Sequence, residues 1–325
     1  MTDRYIRQTT LAEIGAAGQA RLAAAKVLVV GAGGLGSSVL QILAGAGIGE
    51  IVIVDHDHVD LTNLHRQPLY GMDDIGVPKA DAARRALLRA NPGIVVTAGS
   101  ERLTPKNAAV LVQEASIVID AADNFAATYT LSDHCWALGK PLVSASVLGL
   151  SGYVGAYCGG APSYRAVFPD APEVAGSCAS VGVLGSAVAT IGSLQAHMAL
   201  HLLLDLKPDI LGRVVSFDGH TLQFGGFSFA DSPEPSHATP FIALADLVPD
   251  DIGIDLRGVA EAPVLPRADA LRLAPTEIDQ LASAHGGARI VLCCRSGQRA
   301  LRAAGRLHTM GRRNLALVAL EGDPS

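Results

Sequence analysis

The chain has 325 residues, 49% of them apolar and only 4% aromatic, with a formal net charge of -6. That length suggests two domains, or one large domain with an appendage, around a core built mainly from Ala, Val, Leu and Ile. The acidic balance argues against the broad basic face of a nucleic-acid binder and leaves room for a local basic pocket. The longest apolar stretches contain Gly or are broken by charge, so no membrane span is expected. The N-terminal "MTDRYIRQTTLAEIG" has no cationic start followed by an apolar core, and no signal peptide is expected. Cysteines fall at Cys135, Cys158, Cys178, Cys293 and Cys294. An odd number at uneven spacing reads as free thiols in a reducing cytoplasm, not as a disulfide framework.

Residues 1 to about 25 read as helical and include "RYIRQ". "KVLVVGA" is a short buried strand, Gly31–Gly36 a turn, "SSVLQILAGAG" a helix and "EIVIVD" the next strand. The alternation continues with helix "KADAARRALLRANP", strand "IVVTAGS", helix "PKNAAVLVQEA", strand "SIVIDAAD", helix "FAATYTLSDHCWALG" and strand "PLVSASVLG". Strands alternating with helices predict an α/β fold with a doubly wound, mostly parallel sheet. "SGYVGAYC" and "RVVSFDGHTLQFGGFSF" add an antiparallel extension, and between them "VGVLGSAVATIGSLQAHMALHLLLDL" reads as a Gly-interrupted pair of apolar helices. Residues 1–229 form this first unit. "ADSPEPSHATP" at 230–240, with its prolines and small polar residues, reads as a linker. Residues 241–325 start a new α/β pattern: strand "IGIDLRG", helix "PTEIDQLASAHG", strand "RIVLCC", helix "RALRAAGRLHTMG", strand "LALVALEG".

Gly31, Gly33 and Gly36 fit G-x-G-x-x-G between a strand and a helix. Glycine permits the tight backbone, and the helix N-terminus offers free N–H groups to phosphate. Asp55 ends the next strand, where a carboxylate can accept hydrogen bonds from ribose hydroxyls. The motif serves NAD and ATP alike, and a Gly turn can also be purely structural. No G-x-x-x-x-G-K-[ST] occurs, which excludes an ordinary P-loop. Asn63, Arg66, Gln67 and Lys79 follow downstream. Hydride transfer has little need of Arg and Lys beside the phosphates. Triphosphate chemistry does need them, because pyrophosphate must leave while charge shifts off the α-phosphorus. Taken singly, Arg66 and Lys79 read as solvated loop and helix charges.

"RYIRQ", "GAGGLGS", "VDHDHVDLTNLHRQ", "GVPKA", "DAADN" and "GSLQA" together resemble the ThiF/MoeB/HesA adenylyltransferases, relatives of ubiquitin-activating enzymes, over about residues 1–228. The resemblance implies a Rossmann-like fold that binds ATP at the Gly turn, with Gly31, Gly33, Gly34 and Gly36 in the cradle. It implies that Asp55 holds the ribose, with Asp57 beside it, and that Asn63, Arg66, Gln67 and Lys79 contact the phosphates. Asp123 would hold Mg²⁺; read from the residues alone, it is equally an N-cap of the helix that follows. Arg7 would reach into a partner subunit's site, which implies a homodimer. The acid activated would be the C-terminal Gly-Gly of a ubiquitin-like sulfur-carrier protein. A carboxylate is a poor electrophile, and an acyl-adenylate supplies AMP as a ready leaving group.

Cys178, in "AGSCASVGVLG", sits among small residues that suggest a mobile loop. The family often carries there a cysteine that attacks the adenylate or meets incoming sulfur; the plain alternative is a small buried hydrophobe. "VLCCRSGQRA" resembles the rhodanese active loop, with Cys294 accepting sulfur amid backbone N–H groups and arginines that lower a thiol pKa. "IDLRG" resembles the early Asp-x-Arg strand of that family, whereas its Gly-His-Ile-Pro-Gly segment is reduced to "EAPVLPRADALRL". Counted from Cys293, the spacing to Arg299 is the Cys-x5-Arg of tyrosine phosphatases, but the Arg-rich Cys294–Arg299 loop and its attachment to an activating unit favour a small α/β rhodanese-like domain. Tethering raises the effective concentration of a persulfide near the acyl group. The sulfur would come from a persulfide donor such as a cysteine desulfurase. Cys293 simply finishes its strand.

Many relatives hold a structural zinc with two Cys-x-x-Cys pairs. Here Ser163 and Ala166 stand at the first pair and "GGFSFADSPEPSH" lacks the second, so no structural zinc is expected. His197 and His201, four residues apart without an adjacent Glu motif, read as ordinary partly buried histidines. Cys135 and Trp136 read as packing on a helix. Two other functions compete: an NAD-dependent oxidoreductase using the same turn, and a non-catalytic nucleotide-binding dimer whose C-terminal unit binds a partner.

Overall fold

The computed structural model describes residues 3–170 and 181–320. Its larger sheet has the strand order β3-β2-β1-β4-β5-β6-β7-β8. The strands are β1 Lys26–Val30, β2 Glu50–Val54, β3 Val95–Gly99, β4 Ile117–Asp120, β5 Pro141–Leu148, β6 Ser151–Cys158, β7 Arg213–Asp218 and β8 Gln223–Ser228. β1 to β5 pair in parallel, and β6 to β8 continue the sheet antiparallel. The helices are α1 Ile6–Thr9, α2 Gly15–Ala24, α3 Gly34–Ala46, α4 Lys79–Ala90, α5 Pro105–Glu114, α6 Phe125–Ala137, α7 Tyr164–Val167, α8 Gly185–Leu203 and α9 Gln298–Thr309.

The central strands are apolar throughout because both faces are covered. Along β1, Val27 and Val29 enter one core with Leu40 and Leu43 of α3, while Leu28 and Val30 enter the other with Val112 of α5 and Tyr129 of α6. β1 leads on to β2 on one side and β4 leads on to β5 on the other, so the connections leave the carboxyl ends of these two neighbours in opposite directions. That reversal opens a crevice beyond the strand ends, the usual ligand position in such sheets.

The stretch read as a Gly-interrupted helix pair is a single helix from Gly185 onwards. Its glycine serves packing. A Cβ on Gly192 would lie 2.8 Å from Ser38 Cβ and 3.0 Å from the Leu35 carbonyl oxygen, so α8 and α3 meet almost backbone to backbone. Trp136 also departs from expectation. It is 53% exposed, whereas its neighbour Cys135 is buried, because adjacent residues on a helix point about 100° apart.

The second sheet has the order β10-β9-β11-β12, all parallel, from β9 Ile252–Asp255, β10 Leu271–Arg272, β11 Ile290–Cys294 and β12 Leu315–Ala319. The predicted helix at "PTEIDQLASAHG" is a 3₁₀ turn over Pro275–Leu281. Ile278 and Leu281, three apart, both point inward, a spacing that suits three residues per turn. Ile254, Leu292, Leu301 and Leu317 join the same core as Tyr129, Tyr164 and Phe229 of the larger sheet's side.

The segment between the sheets is tied at several points. Glu234 accepts from Ser163 N at 2.6 Å and from Ser163 Oγ at 2.7 Å. The Thr239 carbonyl accepts from Arg165 Nη2 at 3.1 Å, and Thr239 Oγ1 lies 2.7 Å from His308 Nε2. Arg165 is itself buried, bound through two nitrogens to Asp133 and 4.6 Å above the Tyr129 ring. Phe241 then runs along β12: Ile242 N donates to Leu317 O and Leu317 N to Pro240 O, both at 2.9 Å.

Candidate active site

The crevice holds a cavity of about 1140 Å³. β1 is followed by Gly31, whose φ of +93° favours glycine and where a Cβ would lie 2.5 Å from the Ala121 carbonyl oxygen. Gly33 is the N-cap and α3 begins at Gly34, so the turn is shorter than Gly31–Gly36 and Gly36 lies in the helix's first turn. A Cβ on Gly36 would strike the Gly31 carbonyl oxygen. Gly36 thus holds the turn closed from behind, and Gly33 and Gly34 face the cavity.

Asp55, just past β2, accepts from Ala32 N at 2.6 Å and from Asp57 N at 2.8 Å. Burial raises its pKa, against the pull of Lys79 and the two N–H groups. Lys79 opens α4 and is buried, with Nζ 2.8 Å from Asp57 Oδ2. Burial pushes the Asp57 carboxyl up, but Lys79, His56 and Arg102 outweigh it and hold the group below its ordinary value. Tyr70 Oη donates to Ala32 O at 2.7 Å and stitches the turn to this corner.

Across the cavity, Asn63 Oδ1 accepts from Asp60 N at 3.3 Å. Arg66 Nη1 donates to Thr62 O at 3.0 Å. Gln67 is buried, and its Oε1 finds no partner among the described residues. A buried carbonyl oxygen without a donor is uncommon in a folded protein, and it belongs to a residue that lines the cavity.

Asp123 lies on the β4–α6 loop, exposed to the cavity. The cap of α6 belongs to its neighbour: Asn124 Oδ1 accepts from Ala127 N at 2.8 Å. The loop is anchored by two residues that the sequence reading quoted within motifs without assigning them a place in the site. Asp120 is fully buried, accepts from Ser144 Oγ at 2.7 Å and from Ala122 N at 3.2 Å, and burial lifts its pKa to about 6. Gln195 of α8 donates to the Asp120 carbonyl at 2.7 Å and to the Val143 carbonyl at 3.1 Å. Their signal was a polar residue amid apolar neighbours in "SIVIDAAD" and "GSLQA".

The cavity therefore brings together Gly31, Gly33, Gly34, Asp55, Asp57, Asn63, Arg66, Gln67, Lys79 and Asp123. Arg7 stands apart, exposed on α1. Cys178 lies outside the described residues. Cys294, at the end of β11, is buried beneath its own loop and accepts from Ala300 N at 3.4 Å. Arg299, predicted to serve that thiol, is also tied to Glu261 through both terminal nitrogens and to the Leu256 carbonyl. Burial raises Cys293 and Cys158 to about 12. Among the described residues, Asp55, His56 and Asp57 are the group with metal-ligand spacing, their ligand atoms within 4.8 Å of one another; Asp123 and the His197–His201 pair stand outside it. No helix among the described residues is long and apolar enough to cross a membrane.

The model of the ThiF family matches residues 5–238. The chain belongs to the ThiF family. Its relatives include the "Adenylyltransferase and sulfurtransferase MOCS3" of Culex quinquefasciatus, 45% identical over 224 residues, 68% of this chain and 51% of that protein. The chain thus spans about half the length of this curated relative. The "Sulfur carrier protein adenylyltransferase" of Thermus thermophilus is 40% identical over 71% of this chain and 88% of that protein. The "SAMP-activating enzyme E1" of Haloferax volcanii is 38% identical over 71% of this chain and 87% of that protein. Among solved structures, E. coli MccB with ATP superposes with a TM-score of 0.63 at 25% identity, covering 72% of this chain and 73% of that one. The ThiF match includes the Gly turn, the Asp55 corner and Asp123, and it ends before the segment that carries Phe241.

Proposed function

We propose that this ThiF-family protein adenylates the C-terminal glycine of a ubiquitin-like sulfur-carrier protein and then passes sulfur to it. The observation that carries the reading is the convergence of the Gly turn, Asp55, Arg66, Lys79 and Asp123 on one cavity, supported by the names of the Thermus and Haloferax relatives. ATP fits the residues present. The α3 N-terminus and its glycines suit phosphate, Asp55 has lone pairs left for ribose hydroxyls, and Arg66 and Lys79 supply positive charge.

A carboxylate oxygen of the carrier attacks the α-phosphorus, the bond to the bridging oxygen breaks, and pyrophosphate leaves with its electron pair. Arg66 and Lys79 stabilise the charge that accumulates on the departing phosphates. Asp123, freed from capping by Asn124, offers the hard oxygen donor that Mg²⁺ prefers. When bound, that ion adds positive charge at the phosphates. A thiolate zinc site does not fit Ser163 and Glu234, which are occupied with each other, and the chain is expected to fold without zinc. Arg7, exposed and outside the chain's own cavity, is assigned to the partner subunit's site in a homodimer.

For sulfur transfer, the Cys294 thiolate takes the outer sulfur of a donor persulfide, such as that of a cysteine desulfurase, releasing the donor thiol. The resulting persulfide attacks the adenylate carbonyl and expels AMP. A second thiol then cleaves the acyl disulfide to a thiocarboxylate, leaving a disulfide with Cys294. Cys294 is buried, so this half requires its loop to open.

Incubation with ATP, Mg²⁺ and candidate carriers tests both halves. Carrier-dependent ATP–pyrophosphate exchange is expected without NADH formation, and intact mass should reveal the thiocarboxylate once a persulfide donor is added. Cys294→Ala should abolish the thiocarboxylate and leave exchange intact. NAD reduction without exchange would replace the reading with the redox one.

A further inference from the structure

The ThiF match ends at residue 238, but the cavity continues beyond it. At about 1140 Å³ it exceeds the roughly 300–1,000 Å³ of a pocket for a single small molecule. From Asp123 it runs past Phe125 and Ala126, at the start of α6, to a wall made by Phe241, Ile242, Ala243 and Leu244, with Ser296 at its edge. Four successive uncharged residues form this wall; Ile242 and Leu244 turn side chains toward Cys293 and Val318 of the second sheet, and Asp170, beside Gly305 of α9, is an acidic residue that also lines the cavity.

The wall is a fixed part of the fold. Its backbone is hydrogen-bonded to β12 at Leu317 on both sides of Phe241. The Phe241 ring packs 6.4 Å from that of Tyr129 on α6. On its other side is Gly297, where a Cβ would lie 2.5 Å from Phe241 Cε1 and 3.3 Å from Ala126 Cβ. The loop that follows Cys294 therefore touches the first turn of α6, close to the Asp123 loop. A glycine is required at this contact for both reasons at once, since its φ is +82°.

We infer that Ile242–Leu244 and Ser296 form the binding wall for the carrier's C-terminal tail, so that the second sheet selects the acid the first sheet activates. This inference rests on the adenylation reading above. The occupant is an extended, uncharged peptide end of small and apolar residues, with its carboxylate directed to the charged end of the cavity. The argument is continuity: the same cavity holds the charged cradle at one end and the uncharged wall at the other. The tail would then meet the loop of Cys294 without leaving the site where it was activated.

Ala243→Trp and Ser296→Phe fill the wall from half-buried positions without removing a core side chain. Two measurements on the full chain test it: the carrier KM in ATP–pyrophosphate exchange, and fluorescence anisotropy of a labelled tail peptide ending in Gly-Gly. Each variant is expected to weaken peptide binding and raise the carrier KM by about tenfold, with the KM for ATP and the melting temperature unchanged. Unchanged peptide affinity and carrier KM in both folded variants would overturn the wall while leaving adenylation standing. No exchange in the unsubstituted chain, with peptide binding still sensitive to the variants, would overturn adenylation and keep the wall. A peptide that binds neither the unsubstituted chain nor the variants would overturn the wall.

Discussion

Two strand–turn–helix units in this chain share one backbone device. β1 passes through Gly31, at φ +93°, into α3, and β11 passes through Gly297, at φ +82°, into α9. The first turn opens on a cavity lined by charged groups, and the buried Gln67 oxygen beside it has no partner among the described residues. The second is closed on itself: Cys294 is buried, Arg299 is held by Glu261, and Phe241 covers Gly297. The same loop shape is therefore open to the cavity in one place and covered in the other, according to what packs against each turn.

The largest expected effect comes from forcing the first turn apart. Gly36→Val places a side chain against the Gly31 carbonyl and should cost about 1–3 kcal/mol of stability together with nearly all ATP affinity, read by thermal melting and calorimetric titration. Next is Asp123→Ala. With the α6 cap belonging to Asn124, the fold should survive while exchange falls by about 100–1,000-fold; unchanged exchange would remove Asp123 from the site.

Asp120 comes third. Its folded pKa of about 6 lies above the unfolded value, so the folded state binds the extra proton. The associated stability is present at low pH and is lost as pH rises through about 6, by about 3 kcal/mol at most. Urea melts of Asp120→Asn should show less loss than the unsubstituted chain between pH 5 and pH 7. The smallest effect belongs to the closed turn. Glu261→Gln loosens a pair about one-third exposed, and a change of about 1 kcal/mol should raise the reaction rate of Cys294 with a disulfide reagent about fivefold. Adenylation should not respond, which would separate the two turns in function as well as in form.

Much of this was legible before any coordinates. The apolar runs of β1, β2 and β4 name their strands because a parallel sheet covered on both faces leaves no polar alternation to read. The residues that line the cavity stood out in the sequence because glycine and charge carry their chemistry in their identity. Other features depended on partners far along the chain. Gly192 looked like a break until α3 came within backbone reach of it. Glu234 lies in the stretch read as a linker, yet it accepts two hydrogen bonds from Ser163, 71 residues away. Asp120 and Gln195 sat inside motifs already quoted, but their role is a contact between β4, β5 and α8 that one sequence does not display. Arg299 pointed to a thiol site; its pairing with Glu261, 38 residues earlier, required the tertiary fold.

The bond between the Phe241 strap and β12 has a practical consequence for anyone recombining such proteins. A cut made where sequence similarity stops, near residue 238, leaves the first sheet and its glycine turn whole but strips one side from the chamber and admits bulk water. On the wall proposed above, swapping the C-terminal part for that of another protein would change which acids are accepted. In this chain, modules drawn by homology and modules drawn by chemistry have different edges.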